Sequence, residues 1–174
     1  MDSEITTRIR DNLAEVRQRI VEAAGRSGRT AGDVRLVAVT KYVDADITRE
    51  LVRAGCADLG ESRPQVLWAK AAELGRDVTA EQHVRWHMIG HLQRNKLRRT
   101  LPLITLLHSA DSLRLIDEVE QQAAGLARPL DALIEVNVSG DDEKHGFKPE
   151  EVQYVVAQLG EYQLVKFRGL MCMG

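Results

Sequence analysis

Lys41 is the residue whose type and position most directly suggest covalent chemistry. It follows the apolar run Val34–Thr40, whose composition is typical of a strand buried on both faces. On a strand, Lys41 shares a face with Val37 and Val39, and parallel α/β folds place their active sites at the carboxyl ends of strands. A partly desolvated lysine there keeps a fraction of neutral amine that can attack an aldehyde. A surface lysine whose stem lies along the strand end is an equally good interpretation.

A second group of polar side chains lies in the run Trp86–Lys96. His83, His87 and His91 are four residues apart, which on a helix could form a metal-binding face. The apolar and aromatic residues between them instead predict a strand and a turn, which would separate the imidazoles. No Asp, Glu or Cys ligands accompany them, so we predict no metal site. Gly90 permits a close backbone approach or a turn at the end of this strand.

Two further polar segments each have two interpretations. The basic residues at positions 94–99 predict a solvated helix face rather than an anion or RNA site, given the near-zero net charge. The run Glu135–Gly140 and the glycine-containing segment after it fit either a ligand-facing edge or a turn with Asx-type capping. The sequence does not separate these last two possibilities.

The elements that must position these side chains alternate along the chain. Predicted strands cover 34–40, 56–60, 83–89, 103–108, 132–138 and 164–171, and predicted helices cover 4–24, 44–54, 63–74, 95–100, 112–124 and 149–159. Such alternation indicates right-handed βαβ units and a parallel sheet. Both a doubly wound sheet and a (β/α)₈ barrel satisfy it. Since a complete barrel usually takes about 250 residues, we expect one domain over residues 1–174, truncated after strand six with two units missing.

Composition narrows the functional class. The 24 Lys and Arg against 26 Asp and Glu give a net charge of −2, and aromatic residues make up only 4% of the chain, which argues against a nucleic-acid-binding protein. The two cysteines are too few for a disulfide framework, which favours reduced thiols in the cytoplasm. The sequence has no signal-peptide pattern and no apolar run of membrane-spanning length. We therefore expect a cytoplasmic protein with no membrane association.

Taken together, the motifs between residues 34 and 171 resemble those of the pyridoxal phosphate homeostasis proteins, relatives of the barrel domain of alanine racemase. The most specific is the run Trp-His-x-Ile-Gly-x-Leu-Gln-x-Asn-Lys, which begins at Trp86. The matching residues are Val39–Lys41, Gly60–Glu61, Trp86–Gly90, Leu92–Gln93, Asn95–Lys96, His108–Ser109, Asn137–Ser139, Lys144, Gly146 and Arg168–Met171.

The resemblance implies a fold-type III, TIM-like (β/α) barrel that binds pyridoxal 5′-phosphate (PLP), with Lys41 as the Schiff-base lysine. The other cofactor-binding residues that it implies are Ser62, His87, Gly90, Asn137 and Met171. Ser62 stands where the family usually has Asn, and its shorter side chain has no amide to make the same contact. The family's phosphate-binding strands, one Ser-rich and one with an Arg-Ile-Gly-Thr-like run, are not in this sequence.

The implied function is PLP binding and homeostasis without catalytic turnover, with apo PLP enzymes as recipients and a monomeric full-length form. The alternative is a racemase or decarboxylase of the alanine racemase class. Such enzymes need a second, mostly β domain that lends a tyrosine or cysteine as a second acid/base, because one base cannot exchange a proton on both faces of a substrate. The tyrosines here, Tyr42, Tyr154 and Tyr162, lie beside the lysine or late in the chain.

Overall fold

The computed structural model describes residues 3–75, 83–141 and 143–173, and over these ranges strands and helices alternate. The strands are β1 (Ala38–Val39), β2 (Asp58–Glu61), β3 (Arg85–Met88), β4 (Ile104–Ala110), β5 (Leu130–Glu135) and β6 (Val165–Met171). The helices are α1 (Ser3–Arg26), α2 (Ala45–Arg53), α3 (Pro64–Leu74), α4 (Leu97–Thr100), α5 (Leu113–Ala123) and α6 (Val152–Gln158). None of the helices in these ranges is long and apolar enough to cross a membrane.

The six strands form one parallel sheet in the order β1-β2-β3-β4-β5-β6. Each strand pairs with the strand that follows it in the chain, so the order never reverses as it does in a doubly wound sheet. This is the strand order of a (β/α) barrel, and it confirms the TIM-like fold predicted from the sequence.

The outer face of the sheet packs against the helices. Alternate strand residues such as Leu59, Trp86 and Met88 point outward and are 5% exposed or less. They form one apolar cluster with residues of the covering helices, including Leu67 and Leu115. The intervening residues of each strand point to the inner face, which therefore carries the polar side chains of the sheet.

Helix α1 packs across α2 and confirms the amphipathic helix predicted over 4–24. Its buried residues are Leu13 and Ala24. Arg17 Nη2 donates to the carbonyl oxygen of Gly55 at 2.7 Å, at the end of α2. The first helix is thus fixed to the first βα unit by both apolar and polar contacts.

The prediction of a first strand buried on both faces is wrong. Only Ala38–Val39 pairs as strand, and Val39 is 53% exposed. Among the described residues β1 has a neighbour on one side only, β2, so part of its surface meets solvent. The fifth strand also ends earlier than predicted, at Glu135 rather than at position 138.

Candidate functional site

The parallel strands bring their carboxyl ends to one edge of the sheet. We call this edge the carboxyl rim and define it as residues 40–43, 62–63, 89–92, 111–112, 136–141, 143–147 and 171–173. Five of the six sequence-predicted site residues lie on it: Lys41, Ser62, Gly90, Asn137 and Met171. The sixth, His87, lies deeper, within strand β3.

Lys41 is exposed, and its Nζ lies 4.9 Å from the centroid of the Tyr42 ring. Among the described residues no carboxylate pairs with this amine. The partly desolvated lysine considered from the sequence is not observed, and the nearby Val39 is itself 53% exposed. The Lys41 side chain is therefore solvated rather than desolvated, and it is free to reorient.

The backbone just before Lys41 is held firmly, in contrast to its side chain. Thr40 is fully buried, and its Oγ1 donates to Glu61 Oε1 at 2.7 Å. Lys70 Nζ, from α3, donates to the Thr40 carbonyl oxygen at 2.7 Å and pairs with Glu61 Oε1 at 2.5 Å. Sequence reasoning missed this buried pair, because an exposed lysine is the ordinary expectation in the middle of a helix. The pair anchors the end of β1 against β2 and α3.

Two glycines allow the close packing of the rim beside Lys41. A Cβ added at Gly60 would lie 3.3 Å from side-chain atoms of both Val37 and Ile89, on the inner wall. A Cβ added at Gly90 would lie 2.5 Å from the Ser62 carbonyl oxygen, which is too close for any side chain. The close backbone approach predicted at Gly90 is confirmed, and it positions Ser62 against the loop that follows β3.

His87 belongs to a polar network inside the sheet, not to the rim surface. Its Nε2 lies 3.0 Å from Asp58 Oδ1, and its Nδ1 lies 2.9 Å from His108 Nε2. Arg85 completes the network with two donors to the Asp58 carboxylate, at 2.8 and 2.6 Å. The network links β2, β3 and β4 across the inner face.

Burial and pairing fix the protonation states in this network. Burial would raise the pKa of Asp58, but hydrogen bonds from Arg85 and His87 outweigh it and lower that pKa. Burial lowers the pKa of His87 despite the Asp58 carboxylate. Burial, together with the charge of His87, lowers the pKa of His108 to about 4. Both rings are neutral near pH 7, so His87 donates from Nε2 to Asp58 and accepts at Nδ1 from His108 Nε2–H.

Asn137 holds the loop after β5 in shape. Its Nδ2 donates to the carbonyl oxygens of Asp141 and Lys144, at 2.7 and 3.2 Å. Its Oδ1 accepts from both the backbone N–H and the hydroxyl of Ser139. These contacts confirm a capped turn at this segment. Asp142, part of the same predicted loop, lies outside the described residues.

Glu135, which sequence reasoning did not single out, is the last residue of β5 and is only 7% exposed. Its Oε2 is buried with no hydrogen-bond partner. Burial raises the pKa of Glu135, the charge of Asp111 raises it further, and His91 partly opposes both. No pattern in the sequence distinguishes this carboxyl from a solvated one, because its burial depends on three neighbouring loops.

The three histidines that are four residues apart do not lie on one common face of the structure. His83 is exposed, His87 lies inside the sheet and His91 lies on the rim, so the sheet separates the three rings as predicted.

The basic residues at positions 94–99 are largely solvated, as predicted. Arg99, from this segment, places its guanidinium carbon 4.2 Å from the centroid of the Trp68 ring. This contact packs the basic helix on α3.

Comparison with known proteins gives consistent matches over nearly the whole chain. The family model described as "Alanine racemase, N-terminal domain" matches residues 6–174. The pyridoxal phosphate homeostasis proteins of Pseudomonas aeruginosa and Mycobacterium leprae are 37% and 35% identical, over 95% and 91% of this chain and 70% and 67% of their own lengths. PipY from Synechococcus elongatus, solved with PLP bound, superposes with a TM-score of 0.73 at 31% identity, over 89% of this chain and 70% of its own.

Proposed function

Because this chain belongs to the pyridoxal phosphate homeostasis proteins, within the alanine racemase N-terminal domain family, we propose that it binds and retains PLP. The solved relative PipY carries this cofactor, and it shares the fold and 31% of the aligned residues with this chain. PLP supplies an aldehyde that condenses with a primary amine. The proposed role is to hold the cofactor and release it to apo PLP enzymes in the cytoplasm.

The single observation that carries the proposal is the placement of Lys41. It lies two residues beyond the end of the first strand, next to a rigidly held backbone, and its amine has no ion pair among the described residues. A Schiff base on Lys41 needs a primary amine that no carboxylate holds in the charged form. Gly60 and Gly90 favour the same site, because they let the first three strand ends pack closely beside Lys41.

The other proposed cofactor-binding residues differ in how deeply their side chains are buried, and we propose different roles for them. Ser62 and Met171 lie on the carboxyl rim, where a ligand could reach them directly. The Asn137 side chain is occupied by its own loop, so we propose that it shapes the site rather than contacting the cofactor. His87 is fully buried, and we propose that it supports the inner wall through Asp58.

A lysine-specific experiment tests this proposal. The protein is mixed with PLP, and binding is measured from the visible absorption of the imine. The complex is then reduced with borohydride, digested and analysed by peptide mapping. We expect the label on the peptide that contains Lys41, and no visible band from Lys41→Met. Lys144→Met is the matched control, since Lys144 also follows a strand end and should leave the band unchanged. A label on another lysine, or an unchanged band in Lys41→Met, would refute the assignment.

We also propose that the chain has no racemase or decarboxylase turnover. Tyr154 and Tyr162 lie in or after α6, away from the strand ends, and Tyr42 is adjacent to Lys41 itself. The described residues thus place no tyrosine opposite the lysine as a second acid. Assays of PLP-loaded protein with alanine, serine, lysine and ornithine test this. A turnover of about 1 per second or more, the low end of ordinary enzymes, would contradict the proposal.

A further inference from the structure

Three side chains from the ends of three consecutive strands converge on the carboxyl rim. His91 follows β3, Asp111 follows β4 and His145 lies in the loop after β5. Their potential ligand atoms all lie within 4.8 Å of one another. The His91 and His145 Nδ1 atoms lie 2.6 and 3.8 Å from the same atom, Asp111 Oδ2. The two rings are stacked, with centroids 4.0 Å apart and planes inclined by 8°.

We propose that His91, Asp111 and His145 form a binding site for Zn²⁺ or a similar divalent transition metal. Two imidazole nitrogens and one carboxylate oxygen suit a metal of borderline softness, whereas Mg²⁺ and Ca²⁺ prefer oxygen ligands alone. Three protein ligands also leave one tetrahedral position for water, as in zinc sites of the open type.

To hold the ion, the two stacked rings must first rotate, because a metal lies close to the plane of each imidazole that binds it and nearly parallel planes do not meet at one point. The separations from Asp111 need smaller changes. With zinc bonds of about 2.0–2.1 Å, tetrahedral ligand atoms are about 3.4 Å apart. The His91–Asp111 separation of 2.6 Å must therefore widen, and the His145–Asp111 separation of 3.8 Å must shorten. Both changes are below about 1 Å. The two histidine side chains are 40% and 58% exposed and free to rotate, while that of Asp111 is only 6% exposed and forms the fixed point.

The buried Glu135 gives independent support for a cation at this position. Its Cγ lies 3.2 Å from where a Cβ on Gly146 would be, so its side chain lies directly below the segment that carries His145. Its Oε2 is buried and has no hydrogen-bond partner among the described residues. Within the described part of the chain, the Glu135 and Asp111 carboxyl groups therefore lie in one region with His91. A divalent cation on Asp111 would supply the missing positive charge.

The supporting contacts resemble those that orient ligands in metal sites. The other carboxylate oxygen of Asp111, Oδ1, accepts from the Ser112 hydroxyl at 3.1 Å, which leaves Oδ2 directed to the histidines. Ser109 Oγ donates to the Gly90 carbonyl oxygen at 2.7 Å and ties the end of β4 to the residue before His91. These bonds hold two of the three ligand-bearing loops together.

This site uses none of the residues proposed to bind PLP, so it can be tested without PLP. Protein treated with a chelator and dialysed is titrated with ZnCl₂ by calorimetry, with no cofactor present. We expect saturable binding of one ion per chain. His145→Gln and His91→Gln should each weaken it by more than about 10-fold, since losing even a supporting residue typically costs 10–100-fold in metal affinity. His83→Gln, at an exposed histidine outside the site, should bind as the unmodified chain does.

Replacement of zinc by CoCl₂ gives a second readout. Tetrahedral coordination by two histidines and one carboxylate should produce a visible absorption band that His145→Gln abolishes. Asp111→Asn keeps the shape of the side chain, and it should also lose the band. Absence of saturable zinc binding, or equal affinities in the unmodified chain and in His145→Gln, would overturn the proposal. So would an equal loss in His83→Gln, which would indicate unspecific binding to surface histidines.

Discussion

The neutral His108 inside the sheet predicts a defined loss of stability in acid. Burial holds its pKa at about 4 in the folded chain against an ordinary value of 6.5. Between these two values the unfolded chain binds a proton that the folded chain does not, so stability falls as the pH falls through this window. Each pKa unit corresponds to about 1.36 kcal/mol, which gives about 3 kcal/mol for the whole difference. Because the ring is only partly buried, solvent screening reduces this, and we expect about 1–2 kcal/mol.

The variant His108→Gln isolates this contribution. Its amide can still donate to His87 Nδ1, but it does not titrate, so the free energy of unfolding should depend less on pH. Urea denaturation of both proteins at several values from pH 7 to 4.5 gives the difference between them. That difference should shift in favour of the variant by about 1–2 kcal/mol as the pH falls. His83→Gln, at an exposed ring, should show no such trend. A constant difference between His108→Gln and the unmodified chain across this range would refute the assignment of a neutral, buried His108.

Two further predictions concern the packing beside Lys41, and both are measured by urea denaturation. Gly90→Ala should lower stability by about 1–3 kcal/mol, as overpacking does, because the added Cβ would lie 2.5 Å from the Ser62 carbonyl oxygen. Gly160→Ala, where nothing lies within 4 Å, is its control and should be neutral or slightly stabilising. Lys70→Met should cost about 3–5 kcal/mol by leaving the fully buried Glu61 unpaired. Most of this loss should be recovered when Glu61→Leu is added, and if the double variant is no more stable than Lys70→Met, the loss does not come from the unpaired carboxylate.

The sequence predicts the strand order better than it predicts the surroundings of individual side chains. Alternating apolar runs and helical periodicity depend on neighbours in the chain, and they located all six strands. The prediction that Val39 is buried was wrong, because the burial of a strand residue depends on whether its strand has neighbours on both sides. The Lys70–Glu61 pair was missed for a similar reason, since only the packing of α3 on β2 makes that lysine buried.

The positions of the site residues were likewise easier to predict than their contacts. The rim positions of Lys41, Ser62 and Gly90 could be predicted, because parallel strands necessarily end at one edge. The convergence of His91, Asp111 and His145 could not, since their spacing along the chain follows no ligand pattern. It depends on how three loops are directed at the rim, which is set by contacts such as those of Asn137 within its own loop.

Strands β3 and β4 and the loops after them supply two polar pairs. The pair of His87 and His108 lies on the inner face of the sheet, and the pair of His91 and Asp111 lies on the carboxyl rim. On the inner face of the sheet, burial keeps His87 and His108 neutral, and both ring nitrogens of His87 are engaged, one with His108 and one with Asp58. His87 therefore has no nitrogen lone pair available to a ligand unless that network breaks. Four residues after His87, His91 meets Asp111 where solvent can reach it. A new ligand there replaces one hydrogen bond made by the exposed His91 rather than a buried network, which costs far less. The same two strands therefore supply a fixed inner wall and, above it, the groups available for binding.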